Sequence, residues 1–301
     1  LEIAITGGTG FIGKALTLYL ASNGHTVYIL TRQVRENHSP ANIRYIHWDA
    51  SASEFPLSSV DIVINLAGES INNGRWTKQQ KEKIINSRLH TTKSLIKQLQ
   101  TLPQSPSAFI NASAIGYYGT SKTDTFAEDH AKKGNDFLAT TVQLWEEEAS
   151  KADDLGIRTV YTRFGIVLGK DGGALPKMLL PYQFFIGGTI GSGNQLLSWV
   201  HLEDVVRMID FAIHTKEISG AFNITAPHPV TMMEFGSTIA KVLHRPHWLP
   251  VPEFALKTLL GEKSILVLEG QKVLPQKAIQ HGYTHSYATL EHALQNIVLH
   301  S

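Results

Sequence analysis

The sequence predicts an α/β fold, a doubly wound parallel sheet with a smaller, mostly helical C-terminal lobe. Three observations carry that expectation. The chain opens on a β-branched run that ends in a glycine cluster, I-A-I-T-G-G-T-G-F-I-G at 3–13. Apolar stretches of strand length then alternate with helix-periodic stretches as far as residue 165. Beyond that point, glycine pairs and prolines at 227, 229, 246, 250, 252 and 275 break the alternation.

The opening cluster fits G-x-G-x-x-G through Gly8, Gly10 and Gly13, and G-x-x-G-x-x-G through Gly7, Gly10 and Gly13. Glycines so placed leave room for a pyrophosphate, and the first amides of the next helix turn positive charge toward it. That helix shows Ile12, Ala15, Leu16, Tyr19 and Leu20 at i, i+3, i+4, i+7 and i+8, one face of a 3.6-residue period. Asn23-Gly24 supplies a closing residue able to turn left-handed. Residues 27–30 form a second buried strand. The result is a Rossmann-type β-α-β unit for a dinucleotide, with Gly7, Gly10, Phe11, Ile12 and Gly13 as phosphate-side candidates.

The end of the second strand selects the cofactor. A carboxylate about 20 residues past the glycines takes the ribose hydroxyls of NAD. Here Thr31-Arg32 stands in that place, and a hydroxyl with a guanidinium suits a 2′-phosphate. The expected cofactor is therefore NADP(H), against the alternative that Arg32 is a solvated surface residue. Arg35 is near enough to join the patch or to face water.

A third strand is expected at 44–48, a fourth at 61–66 and a fifth at 108–112. Between the last two, a long helix over about 78–99 presents Ile84, Ile85, Leu89, Thr92, Leu95 and Ile96. A helix at 137–151 and a sixth strand at 157–163 follow, then a helix at 204–213 and a returning strand at 221–225. This spacing divides the chain into an NADP-binding domain, 1–165 plus 203–225, and a lobe, 166–202 plus 226–301, that closes over the cofactor cleft.

Composition excludes several classes. The 301 residues are 43% hydrophobic and 18% charged with net charge +1. No basic run points to nucleic acid or a membrane surface, and no apolar stretch reaches spanning length. Absence of cysteine removes disulfides, thiolate nucleophiles and cysteine-ligated zinc, so a reducing cytoplasm is the expected setting. With the first strand expected to open at residue 1, no signal peptide is expected, and the sequons at Asn111 and Asn223 lie in expected strands. No metal set is expected: His244 and His247 are split by Arg245-Pro246, and His281 and His285 have no carboxylate motif beside them.

Longer strings carry a resemblance: T-G-G-T-G-F-I-G at 6–13, N-L-A-G-E at 65–69, A-S-A-I-G-Y-Y-G at 112–119, G-I-V-L-G-K-D-G-G-A-L-P-K-M at 165–178 and E-G-Q-K-V-L-P at 269–275. On these the chain resembles the extended short-chain dehydrogenases/reductases, in the NAD-dependent epimerase/dehydratase branch. More narrowly it resembles the atypical subgroup called epimerase family proteins, known as NADP(H) binders without a settled reaction. The resemblance implies that the backbone of Leu66, Ala67 and Gly68 lies along the cofactor and that Val167 belongs to the sixth-strand segment beside it. It also places Asp49 at the adenine, or in a turn, and Arg88 at the pyrophosphate or a ribose. Lys177, Trp199 and His201 fall on the substrate side, with packing in the core an equal alternative for Trp199.

Typical members use Tyr-x-x-x-Lys on the helix after the fifth strand, the lysine lowering the pKa of a tyrosine that exchanges a proton with substrate. Here that helix reads F-L-A-T-T-V-Q-L-W-E-E-E at 137–148, without tyrosine or lysine. Tyr118 to Lys122 matches literally but spans Gly119 in a loop. Substitute candidates sit at the strand ends: Ser113, near the superfamily's serine; Tyr117 or Tyr118, in the loop bordering substrate; and Glu69, just past the fourth strand. Each has a packing or capping alternative. The expected function is an NADP(H)-dependent oxidoreductase or epimerase on a small polar substrate, with a homo-oligomer allowed. A non-catalytic NADPH-binding sensor is the alternative.

Overall fold

Strands form where β-branched and aromatic residues run uninterrupted, and the computed structural model describes residues 1–33 and 40–299. Arg35 lies outside the described residues. The strands are β1 (Glu2–Thr6), β2 (Thr26–Thr31), β3 (Ile43–His47), β4 (Ile62–Asn65), β5 (Ala108–Ala114), β6 (Thr125–Phe126) and β7 (Arg158–Phe164). They continue as β8 (Ile166–Leu168), β9 (Leu196–Leu197), β10 (Trp199–His201), β11 (Gly220–Ile224), β12 (Val230–Thr231) and β13 (Lys272–Val273). The nucleotide half carries helices α1 (Phe11–Ser22), α2 (Lys78–Leu99) and α3 (Phe137–Ser150). Then come α4 (Leu175–Gln183), α5 (Leu202–His214), α6 (Met232–Leu243), α7 (Glu253–Leu260), α8 (Ile265–Leu268), α9 (Gln276–Gln280) and α10 (Leu290–Leu299).

Seven strands make one sheet in the order β11-β7-β5-β4-β1-β2-β3, and every pairing in it is parallel. Chain direction across the sheet reverses between β1 and β4, which opens a crevice at their carboxyl ends. Ile3, Ile5, Val27 and Ile29 point to the face covered by α1 and α5, whereas Ala4, Leu30 and Val63 point to the face of α2 and α3. Burial on both faces explains why these strands read as continuous apolar runs. A separate core joins Leu168, Trp199, Phe235 and Leu294 in the lobe.

The helix expected at 204–213 starts earlier than that. The strand stops at His201, whose Nδ1 accepts from the Glu203 amide (3.1 Å) and so starts α5 two residues early. Asp204 is therefore helical and fully buried. Its carboxylate accepts from the Ser286 and Tyr287 amides and the Tyr283 hydroxyl, each at 2.9 Å. The short pairs β8 with β10 and β9 with β12 lie within the lobe, and β6 with β13 joins the lobe to the segment after β5.

Candidate cofactor and active site

Each loop glycine meets a different demand. Gly7 sits at φ +71°, and a Cβ there would come within 2.7 Å of the Leu66 carbonyl and 2.9 Å of the Ala67 nitrogen. Gly13 lies so close beneath the loop that a Cβ would fall 2.2 Å from Gly7 O. Gly10, by contrast, has open space on its Cβ side apart from Gly7 O at 3.2 Å, and no side chain caps α1 after it. An uncapped first turn beside an open glycine, at the sheet's switch point, fits a pyrophosphate on the amides of Phe11, Ile12 and Gly13. The Phe11 ring faces the other way, packed under Gly169, Gly172 and Gly173 close by Val167 O, which puts the Val167 segment over this loop.

At the end of β2, Arg32 is exposed, and the Thr31 hydroxyl accepts from the Gln33 amide (3.2 Å). Asp49 closes a turn on the Ser51 amide (2.9 Å), and that bond chiefly holds its carboxyl below the usual range, with Arg32 adding a small pull. Arg32 and Asp49 thus face one rim of the crevice from neighbouring strands.

The end of β4 is rigid. Thr6 Oγ1 donates to Asn65 Oδ1 (2.7 Å), and Asn65 Nδ2 donates to Thr92 Oγ1 (2.9 Å) and Asn111 Oδ1 (2.7 Å). These buried bonds tie β1, β4, β5 and α2 together at one level. Leu66, Ala67 and Gly68 continue from that knot, and Arg88 lies across Gly68, where a Cβ would be 3.1 Å from Cζ. Arg88 Nη1 donates to the carbonyls of Glu69 (2.9 Å) and Ile84 (3.0 Å), with the guanidinium 5.0 Å from the Trp145 ring centre. Burial pushes it down to about 10, so it stays charged at neutral pH. Glu69 accepts from Asn73 (2.9 Å), which chiefly lowers its pKa, with Lys83 at 3.7 Å adding to the effect. It is an ionised carboxylate, not a proton donor.

At the end of β5, adjacent Ser113 and Arg163 converge on one acid. Ser113 Oγ donates to Glu146 Oε1 (2.5 Å), while Arg163 Nε and Nη2 donate to Oε1 (2.8 Å) and Oε2 (2.7 Å). All three are under 8% exposed. Burial opposes the charge on Arg163, but the Glu146 bonds outweigh it and hold the guanidinium above its ordinary value. Tyr117 covers the outer side, its ring centre 3.5 Å from Arg163 Cζ and 5.9 Å from Lys133 Nζ. Its half-buried hydroxyl has no hydrogen-bond partner among the described residues. Tyr118 is 1% exposed and donates to Asn223 Oδ1 (2.9 Å), and burial raises its pKa. The Tyr118–Lys122 spacing thus falls on a 3-10 turn and a loop, with no shared helical face.

Two expected substrate-side residues are elsewhere. Trp199 is wholly buried, its indole donating to His228 O (3.1 Å), and His201 is stacked on Tyr287 at 3.8 Å. Pairing of β10 with β8 draws both into the lobe core, while Lys177 stays exposed on α4. The spacing of residues did not single out Glu146 or Trp145. The run W-E-E-E carried a signal only through the helical phase that turns positions 145 and 146 inward. A groove of about 290 Å³ between α2 and α3, lined by Lys93, Lys97 and Lys151, holds none of the candidate residues.

Comparisons with known proteins identify the family. The profile of the NAD dependent epimerase/dehydratase family matches residues 3–225, and a domain of unknown function (DUF1731) matches 251–297. The epimerase family protein YfhF of Bacillus subtilis is 50% identical over 300 residues, covering 99% of this chain and 98% of its own. The crystal structure of human epimerase family protein SDR39U1 (isoform 2) with NADPH superposes with a TM-score of 0.90 at 34% identity, covering both chains entirely. A nucleoside-diphosphate sugar epimerase of Corynebacterium glutamicum gives 0.78 at 28%, over 99% of this chain and 58% of its own. The chain belongs to the NAD-dependent epimerase/dehydratase family.

Proposed function

We propose that the protein binds NADP(H) across the ends of β1, β2 and β4 and acts as an oxidoreductase or epimerase on a small polar substrate. The uncapped first turn of α1 behind the three loop glycines carries the reading. Arg32, exposed at the β2 end in the position where an NAD-type acid would stand, favours the 2′-phosphate, as does NADPH in the human relative. Leu66 to Gly68 and Arg88 line the middle of the crevice, Asp49 the adenine rim, and Val167 the roof. Bound nicotinamide would supply or accept the hydride. Tyr117 is the proton donor in this scheme, because Ser113 is bonded to Glu146 and Glu69 to Asn73, whereas the Tyr117 hydroxyl makes no hydrogen bond among the described residues. Arg163 against its ring stands in for the missing lysine as the nearby cation.

Calorimetric titration tests the cofactor. NADPH should bind at least about tenfold more tightly than NADH, roughly 1.4 kcal/mol, and Arg32→Ala should remove most of that gap. Equal affinities in the unaltered protein would reject NADP(H) selectivity. For the chemistry, Tyr117→Phe should lower turnover by about 10²- to 10⁴-fold with NADPH affinity unchanged. Undiminished turnover removes Tyr117 from the mechanism.

A second reading, an NADPH-binding regulator without turnover, is favoured by one observation. The Ser113 hydroxyl is committed to Glu146, and α3 offers no tyrosine or lysine to replace it. Mixing the NADPH complex with a panel of small aldehydes and ketones separates the two readings, since only the enzyme oxidises its cofactor.

A further inference from the structure

We propose that His25, Asp210 and His214 form a binding site for a divalent transition cation of the zinc class, at the end of the sheet opposite the glycine loop. His25 lies in the turn that joins α1 to β2, at the amino-terminal edge of the sheet. Asp210 and His214 are one turn apart in the last part of α5 and so share a face. Because α1 and α5 pack side by side, their carboxyl-terminal ends meet here. One ring nitrogen from each histidine and one carboxylate oxygen lie within 4.8 Å of one another. A tetrahedral ion with bonds of about 2.0–2.1 Å holds its ligand atoms about 3.4 Å apart, a distance that side-chain rotation alone can close.

The carboxylate supplies an independent observation. Asp210 Oδ1 is shielded from solvent and accepts no hydrogen bond among the described residues. Oδ2 has the Tyr19 hydroxyl at a long 3.5 Å. His214 Nδ1 stands 3.3 Å from Oδ1, yet its closer contact is the Asp210 carbonyl at 2.9 Å. Shielded carboxylate oxygens rarely lack a donor, and a cation held between two imidazoles would satisfy this one. His25 Nδ1 has the Leu1 nitrogen at 3.3 Å, and its ring centre lies 5.7 Å from that of His214. Two helix carboxyl termini add negative potential. Two imidazoles with one carboxylate suit zinc-class ions rather than magnesium or calcium, which take oxygen sets. The ion would clamp the α1–β2 turn to α5 and leave a coordination position to water.

Untagged, chelator-stripped full-chain protein titrated with zinc chloride provides the test, with magnesium chloride as control. One zinc ion per chain should bind and raise Tm, while magnesium does neither. His25→Gln, His214→Gln and Asp210→Asn should each weaken zinc binding at least about tenfold. Their Tm in chelator should stay near that of the unaltered protein, which separates ligand loss from misfolding. Cobalt substitution should give the visible absorption of a four-coordinate site. The chain has 14 histidines, so zinc binding that persists in the His25→Gln/His214→Gln double variant would overturn the assignment. Absence of stoichiometric binding would do the same.

Discussion

Gly13→Ala is expected to lower both Tm and NADPH affinity, although alanine in place of glycine ordinarily favours a helix by up to about 1 kcal/mol. The sign reverses because the added Cβ would lie 2.2 Å from Gly7 O, 2.7 Å from Gly8 Cα and 2.9 Å from Gly7 C. All three are backbone atoms, so no rotamer change relieves the contact, and α1 must move off the loop. That movement breaks the Gly10 N–H to Gly7 O bond (2.9 Å) which shapes the phosphate seat. Overpacking of this kind costs about 1–3 kcal/mol, or several degrees of Tm for a chain of this size. NADPH affinity should fall by at least about 100-fold, roughly 2.7 kcal/mol. Gly10→Ala provides the contrast. Its Cβ meets only Gly7 O at 3.2 Å, so Tm should hardly change while the group intrudes where the diphosphate rests. Thermal melts and calorimetry on the two variants distinguish them, and equal Tm losses would refute the separate roles.

Glu146→Ala should produce the largest stability loss, about 3–5 kcal/mol in urea unfolding. The truncation leaves the Arg163 guanidinium, 4% exposed, without its two-pronged partner and strips the Ser113 hydroxyl of its acceptor. Ser113→Ala removes one hydrogen bond only and should cost about 1–2 kcal/mol. The Glu146→Leu/Arg163→Leu double variant should be more stable than Glu146→Ala, because no buried charge is left alone. A smaller effect for Glu146→Ala than for Ser113→Ala would mean that water reaches the guanidinium. Loss of this pair also releases Tyr117, since its ring rests on Arg163.

The β1–α1–β2 unit was legible because its signal is local. Glycines, apolar period and closing Asn23-Gly24 fall within one stretch, and Gly24 indeed turns at φ +84°. Strand edges slid by a residue or two where caps and neighbours decide them: β5 runs on to Ala114 because Ala114 pairs with Phe164. The polar centre was less readable. Ser113 could be seen near the site, but its commitment to Glu146 depends on which way α3 is rotated and on a partner strand 50 residues later in sequence. Trp199 takes the packing alternative and His201 turns inward with it, since a short strand's side chains follow its pairing, and β10 pairs inside the lobe. The His25–Asp210–His214 cluster needed the packing of α1 on α5 before it existed at all.

The buried Asp204 carboxylate determines which parts of the molecule move as one piece. Three donors from 283–287 converge on it at the start of a helix that runs along α1, so the tail travels rigidly with the phosphate seat. Other segments lack such an anchor. α7 and the turn 261–264 after it reach the rim beyond β4 through the pair of half-buried Lys81 with exposed Glu262 and a 3.4 Å contact from Lys263 to Asn73 O. Exposed contacts of this sort are weak and screened by salt. Ionic strength would therefore set how firmly this tie between the lobe and the β4 rim holds.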